Sequence, residues 1–433
     1  LGSDTTLGSS ILRVLVSIGN QEIVCCNPDG IIPTDVPTTN ITTFNVDIRN
    51  IKMLEAILQE GDILYNAQVF EDENVISQEF DELHVLGIEN LLKIANQKKI
   101  KKIVSYLPQK ISWHVPNQAK EETELIPLTK YQKSLYKTLQ IANLYFDQKL
   151  FDDESVEEEN NDEKVNDLQE SNTDLHEDES NQQEEIVDNE KDNEGEEEVG
   201  NHPVTPPSLQ VAPPKLSSSI NSDDTRGEED PSEEGQPGLK DGSTVETEKS
   251  LNNSADNTHE STPSYDVPLI VARISRFYGP FDYSITKKVC QAIRLQRMTI
   301  VGKLRKKISW INPLDAGRAM IIMGDDKVKQ GQYNISGFEA TGSELIDTLE
   351  QINYSKTKIR RKLFFIANIK TKIKLMVSKL GFINRIEFDE IYGLNRSQVF
   401  SVTKAQDAWN WKPKYDLIIT SKDSLNWFVN HVL

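Results

Sequence analysis

The chain opens Gly2-Ser3-Asp4-Thr5-Thr6-Leu7-Gly8, with an apolar helical pattern directly behind it. Glycines at this spacing let a backbone turn tightly and approach a diphosphate held at a helix N-terminus. Thr5 stands where a G-x-x-G-x-x-G loop has its middle glycine, so the centre of the turn carries a Cβ and a hydroxyl. The loop alone is a weak signal, and its meaning depends on what surrounds it. Cys25-Cys26 is the other conspicuous pair. It lies in an apolar run without metal-ligand spacing and reads as two small buried side chains. With Cys290 it makes three cysteines, too few for a disulfide framework and compatible with a reducing cytoplasm. No metal site is expected.

A phosphate loop needs a strand before it and a helix after it. Leu7 to Ile18 has a broad apolar helical face at Ile11, Leu12, Val14 and Leu15. Glu22 to Cys26 and Thr43 to Val46 read as strands, and Ile51 to Gln59 as a helix. Asp62 to Asn66 is a strand, Ser77 to Gln97 a long helix, Lys102 to Tyr106 a strand, Leu128 to Phe146 a helix and Pro268 to Ile274 a strand. Short apolar strands alternating with amphipathic helices predict a doubly wound α/β fold, a parallel sheet covered on both faces. Beyond Asp282 shorter helices are predicted at Thr286–Leu295, Asp315–Met323, Ser343–Ile352 and Ser424–Val432, with short strands between them, as in a smaller α/β cap region.

Charge divides the chain. Its net charge is −21, but residues 152–260 alone hold 35 acidic and 6 basic side chains and no Phe, Trp or Tyr. Such a segment cannot bury enough apolar surface to offset its ordering entropy and is expected to be disordered. The rest carries +8. Three parts follow: a core over 1–150, the acidic insert over 151–264, and the last core strands with the cap over 265–433. There is no apolar run of about 18 residues and no charged-then-apolar leader, which predicts no membrane span and a cytoplasmic protein. No aromatic-interleaved basic module suggests nucleic acid.

The order of segments resembles the extended short-chain dehydrogenase/reductases, the group of NAD-dependent epimerases and dehydratases of nucleotide sugars. Asp47-Ile48 sits where that family has an acidic residue after the third strand. Asp62-Ile63-Leu64-Tyr65-Asn66-Ala67 is similar to its fourth-strand motif, and Phe80 to Ala95 to its next helix. Arg273-Ile274-Ser275-Arg276-Phe277-Tyr278-Gly279-Pro280 resembles its Arg-Pro-x-x-x-Tyr-Gly-Pro segment. Asn334-Ile335-Ser336-Gly337 and Ala408-Trp409-Asn410-Trp411-Lys412-Pro413 match two later landmarks. The resemblance implies a Rossmann-type fold binding NAD or NADP through Gly2, Thr5, Leu7, Gly8, Asn27, Asp47, Ile48, Asn66, Ala67 and Tyr131. It also implies a small-molecule substrate such as a nucleotide sugar, with Arg305 and Lys307 of the basic run Lys303–Lys307 near its diphosphate, and a homodimer. Arg and Lys suit phosphate by charge and hydrogen bonding; a solvated loop has the same composition. Further cations at Arg294, Arg297, Lys358, Arg360, Arg361 and Lys362 are not joined into a patch by sequence alone.

The family's chemistry rests on a Tyr-x-x-x-Lys pair on one helix face, the ammonium lowering the phenol pKa for proton exchange. The matching stretch is Tyr131-Gln132-Lys133-Ser134-Leu135, so Tyr131 is kept and Leu135 replaces the lysine. Lys133 and Lys137 lie at the wrong angle to substitute. The catalytic Ser/Thr position falls near Leu107, with Ser105 two residues early, and His84 stands at the helix asparagine. Two more departures concern the cofactor. Only Leu1 precedes Gly2, where the family has a whole central strand, so an apolar strand of about 5–6 residues is expected upstream. The acidic residue closing the second strand is replaced near Asn27, with Asp29 behind, leaving NAD versus NADP open. Two functions compete. One is an epimerase, dehydratase or reductase using Tyr131 with another cation. The other is a catalytically silent, cofactor-sensing or protein-interaction module working through the acidic insert. That insert should leave the sheet at the edge away from the cofactor, as a tether or partner-binding tail.

Overall fold

The computed structural model describes residues 1–19, 21–69, 77–112, 114–146, 267–367, 369 and 393–432. These belong to a unit spanning Leu1–Glu170 and Thr262–Leu433; a second unit, Ser171–Ser261, and the whole insert expected over 151–264 lie outside the described residues.

The element order follows the predicted alternation. Helix α1 (Thr6–Ile18) is followed by β1 (Ile23–Asn27), β2 (Ile41–Asn45), α2 (Ile51–Ile57) and β3 (Ile63–Asn66). Helix α3 starts at Ser77–Phe80, widens into a π-helical stretch at Asp81–Val85 and continues over Leu86–Lys98. Strand β4 (Lys102–Pro108) leads to helix α4 over residues 130–146. Then come β5 (Leu269–Ile274), β6 (Arg276–Phe277), α5 (Ile285–Arg294), β7 (Arg297–Val301), β8 (Lys307–Ile311), α6 (Pro313–Met323), β9 (Gly331–Ile335), β10 (Phe338–Thr341), α7 (Gly342–Ile352), β11 (Lys358–Lys362), α8 (Thr403–Trp409) and α9 (Leu417–His431).

The central sheet runs β3-β4-β5-β9, all parallel. Every residue of β4 and β5 is buried, which requires cover on both faces and explains their mainly apolar sequences. Parallel β1 and β2 form a separate pair. Leu1 and Gly2 bridge the two: the Leu1 amino group donates to the Tyr65 carbonyl, Ala67 N–H to the Leu1 carbonyl, and Gly2 N–H to the Cys26 carbonyl. α1 packs on α6 so closely that a Cβ on Gly317 would lie 2.8 Å from the Ser10 backbone. Local signals set the ends: Thr5 caps α1, Asn312 caps α6 ahead of Pro313, and Thr341 with Glu344 forms a capping box on α7.

The predicted cap region is a second core around Trp310, Tyr278, Ile300, Leu349 and Phe428. Mixed sheet β10-β8-β6 and the parallel pair β11-β7 border it. Three of the four predicted helices beyond Asp282 start one or two residues early; α9 starts seven early, at Leu417, because Asp416 caps it by accepting from Ile419 N–H. Cys25 and Cys26 are free and buried, as their apolar run predicts, and so is Cys290.

Candidate functional site

The site is built around the Gly2–Gly8 loop, which joins β1, β3 and α1. Gly2 has φ +73°, and a Cβ there would lie 2.8 Å from Gln68 N, so only glycine fits. A Cβ on Gly8 would collide with the Gly2 carbonyl. Leu7 is fully buried; it anchors the helix in the core and offers only backbone to a ligand. The Thr5 hydroxyl accepts from Gly8 N–H at 3.0 Å and lies 2.9 Å from the Gly2 carbonyl and 3.3 Å from that of Ala67, to either of which it can donate. The residue in place of the middle glycine thus ties the loop to itself and takes one of the helix N–H groups that a diphosphate would use. Exposed Asp4 sits in the same turn. Its carboxyl is pushed above the usual range, by desolvation first and by the nearby charges of Asp29 and Asp47.

The strand-end residues are committed to one another. Asn27 Nδ2 donates to Ser3 Oγ at 2.7 Å and to the Ile31 carbonyl at 2.9 Å, while its Oδ1 accepts from the N–H groups of Asp29 and Ile31. Fully buried and internally bonded, Asn27 shapes the 27–31 turn. Asp47 is held by Arg49 at 2.6 and 2.9 Å. Partial burial pushes this carboxyl up, but the Arg49 bonds outweigh it and leave it below its ordinary value. Ile48 is buried, its N–H on Gln68 Oε1 and its side chain against Gly87. Asn66 Nδ2 donates to Ser105 Oγ at 3.1 Å and its Oδ1 accepts from Gln68 N–H. Ser105 therefore serves β3, with which it is in register, and Leu107 is buried at the position expected for a catalytic hydroxyl.

A separate aromatic cluster holds the other nominated residues. Tyr131 is 2% exposed and meets His84 and Phe80 edge-on, with ring centroids 5.7 and 5.4 Å apart. His84 Nδ1 lies 2.8 Å from Ser134 Oγ. Ser134 donates its own proton to the Tyr131 carbonyl, so the histidine Nδ1 is the donor in this bond. Burial lowers the His84 pKa to about 3. Leu135 is 0% exposed and packs in the main core with Leu139. Lys133 is exposed, and Lys137 pairs with Asp81 at 2.9 Å on the surface; neither stands in for the replaced lysine.

Sequence reasoning missed three contributors. Ser3 and Gln68 brace the loop and the Asp47–Ile48 turn, with only their nearness to nominated residues to mark them. Lys110, in the short 3-10 turn Gln109–Ile111 after β4, lines a small cavity together with Tyr131, Val69, Ser275 and Phe277. Only a folded chain could show that pairing. The substrate candidates lie elsewhere: Arg305 is exposed, and Lys307 Nζ stands 3.9 Å from Glu339. Arg273, from the Tyr-Gly-Pro segment, is buried and bonds the Glu121 carbonyl and Gln332; burial lowers its pKa to about 10. It fastens a loop to the sheet. The Tyr278 hydroxyl is likewise closed on Ser421.

A cavity of about 650 Å³ opens between the edges of β1 and β3 beside α1, with Ser3 and Gly8 of the loop in its wall. Among the described residues no group of acidic, histidine or cysteine side chains could hold a metal ion, and no helix is long and apolar enough to cross a membrane.

No family profile matches this chain and no curated protein matches its sequence. Solved structures do. A dTDP-glucose 4,6-dehydratase from Bacillus anthracis in complex with NAD aligns over 99% of this chain and 95% of its own, at 15% identity and a TM-score of 0.56. A UDP-glucose 4-epimerase from Thermotoga maritima with UDP-glucose covers 100% and 98% at 12% identity and a TM-score of 0.59. A UDP-glucuronic acid 4-epimerase from Bacillus cereus with NAD covers 98% and 94% at 12% identity and a TM-score of 0.55.

Proposed function

From the epimerase/dehydratase fold that this chain has, we propose that it binds a nicotinamide dinucleotide, NAD or NADP, without the proton-transfer machinery of a Tyr–Lys pair. The observation that carries this reading is Leu135, which is completely buried one turn after Tyr131. A lysine there would hold the ribose and lower the phenol pKa; leucine does neither, and removing such a group costs on the order of 10²–10⁴-fold in rate.

The dinucleotide-binding half keeps more of its parts. The Gly2 and Gly8 backbone and the start of α1 would face the diphosphate. The Asp47–Ile48 turn would border the adenine, and Asn66–Ala67 with Tyr131 the nicotinamide side. When bound, the dinucleotide supplies a hydride acceptor. The chain's own residues hold its two ends, and the apolar packing of Leu135 leaves the Tyr131 helix without a partnering ammonium at that position. Support comes from the fold shared with proteins crystallised with NAD, and from the glycine-only geometry at Gly2.

The deciding experiment is calorimetric titration with NAD and NADP, followed by a turnover assay with UDP-glucose. Dinucleotide binding without turnover is the expected result; no binding by folded protein, or turnover at ordinary enzyme rates, overturns it.

One observation favours a second reading. Lys110 and Tyr131 line the same small cavity, so Lys110 would be the substitute cation in an active enzyme on a small molecule such as a nucleotide sugar, with Arg305 and Lys307 as outer contacts. In that case Lys110→Met abolishes turnover while leaving dinucleotide affinity nearly intact. A homodimer through α3 and α4 belongs to either reading: Leu86 and Leu144 are 50% and 64% exposed on these helices. Light scattering tests it.

A further inference from the structure

The strand pair β7-β11 brings together cations that are sixty residues apart in sequence. On its inward side Ile300 lies in the second core with Met298 and Ile359 packed against it, while Arg361, in the same alternation and opposite Ile300, is exposed. Its outward face carries Arg297, Lys358, Arg360 and Lys362, all exposed, and neither strand contains an acidic residue. The parallel register sets Lys358 directly opposite Arg297. Like charges facing each other across strands destabilise a sheet, and side chains two apart along a strand are only about 6.6 Å from each other. Among the described residues none of these four cations has an ion-pair partner.

Exposed apolar side chains border the strip at both ends. Leu295, 66% exposed, leads into β7, and Tyr354, 97% exposed, precedes β11. Leu363, Phe365 and Ile366, at 69, 71 and 49% exposure, follow β11 directly. Cations flanked by large apolar side chains are the composition that lies on an anionic bilayer: the cations meet lipid head groups and the apolar groups enter the acyl boundary.

We propose that the β7-β11 face is a docking surface for an anionic lipid bilayer. Electrostatic complementarity alone would serve a nucleic acid equally, and aromatic Tyr354 and Phe365 could stack on bases. The aliphatic Leu295, Leu363 and Ile366 have no such use on a nucleic acid, and they favour the bilayer. No membrane partner was expected, on the ground that no segment is long and apolar enough to span one; this face would lie on a bilayer without spanning it. The proposal is independent of the dinucleotide reading, since none of its residues belongs to that site.

The test is sedimentation of the full 433-residue chain with vesicles of phosphatidylcholine alone or mixed with phosphatidylserine, at low and high salt. A protein of net charge −21 would be repelled by anionic vesicles unless a local basic face engages them, so binding is diagnostic. Expected is binding to the mixed vesicles, weakened by salt. The K358Q/R360Q/K362Q variant should bind roughly a hundredfold less well, about fivefold per cation, with an unchanged melting midpoint. A second variant, L363S/F365S, should weaken binding with the salt dependence kept. Absence of binding, equal binding to both vesicle types, or unweakened binding by the first variant overturns the proposal. So does capture of single-stranded oligouridylate, lost in that variant, by a chain that ignores vesicles.

Discussion

His84 and Ser134 stand 2.8 Å apart between α3 and α4, a neutral imidazole donating to a hydroxyl whose own proton goes to the Tyr131 carbonyl. The bond fixes the ring against Tyr131, and burial disfavours the charged form of the imidazole.

A pH dependence of stability follows. His84 titrates at about 3 when folded, against an ordinary 6.5 when unfolded. Between those values the unfolded chain holds the extra proton, so acid favours unfolding. The contribution is complete above pH 6.5 and is lost as pH falls from there toward 3, on the order of 5 kcal/mol at about 1.4 kcal/mol per pH unit. Urea midpoints should fall steeply with acidification in the parent chain, and His84→Asn should flatten that part of the profile. An unchanged slope in the variant would assign the acid sensitivity to other groups.

Leu135→Lys is the direct challenge to the altered site. The leucine is fully buried beside Tyr131 and Leu139, and an ammonium placed there has no carboxylate partner in that apolar cluster. A loss of about 3–5 kcal/mol is expected, the scale of an uncompensated buried charge, read as a lower urea midpoint. Turnover of UDP-glucose by the folded fraction would show that the lost lysine alone separates this site from an active one.

Dinucleotide affinity should rise when the loop is relieved of its charge. Asp4 shares the Gly2–Gly8 turn, and Asp29 and Asp47 add to the field around it. A like charge at about 4 Å in a well-hydrated site costs about 1 kcal/mol, so Asp4→Asn should tighten NAD binding about fivefold in calorimetry, with a smaller gain at high salt. Thr5→Gly frees Gly8 N–H and should add to this at a cost of a few tenths of a kcal/mol in helix capping. No gain from either variant would mean that the diphosphate does not sit at this turn.

Local signals carried most of the fold. The apolar runs Ile103-Val104 and Leu269-Ile270-Val271 announce buried parallel strands, and Gly2 and Gly8 announce a turn that accepts no side chain. Leu135 is legible as a departure because i+4 spacing fixes which helix face it occupies. What escaped the sequence is tertiary. Lys110 shares a cavity with Tyr131 only because β4 ends near the start of α4, and Lys358 meets Arg297 only through the β7-β11 register. Asn27 stands among the expected cofactor contacts, yet its amide is bonded to Ser3 and the Ile31 backbone, a commitment that residue type does not reveal. Arg273 behaves likewise: a charged residue in a recognisable motif acts as a structural clamp.

The Leu1 amino group offers the last test. It donates to the Tyr65 carbonyl at 2.7 Å while Gly2 N–H reaches the Cys26 carbonyl at 2.7 Å, so Leu1 is placed as a strand residue between β1 and β3. Because peptide groups alternate along a strand, the backbones of Val24 and Ile63 turn toward the same 650 Å³ cavity, which Ile11, Leu15, Ile57 and Leu58 line with apolar surface. Burial also lowers the Leu1 ammonium below an ordinary amino terminus; a peptide N–H there carries no such penalty. An extension of about five Val or Ile residues joined to Leu1 should therefore pair with both edges. Burial contributes about 2 kcal/mol per residue against about 1.5 for ordering, a net gain of about 2.5 kcal/mol, or several degrees in Tm. An alternating Ser/Thr extension should give none of this, since helices border the cavity on both sides. Equal effects of the two extensions, or a loss with the apolar one, would show that the cavity does not accept a strand.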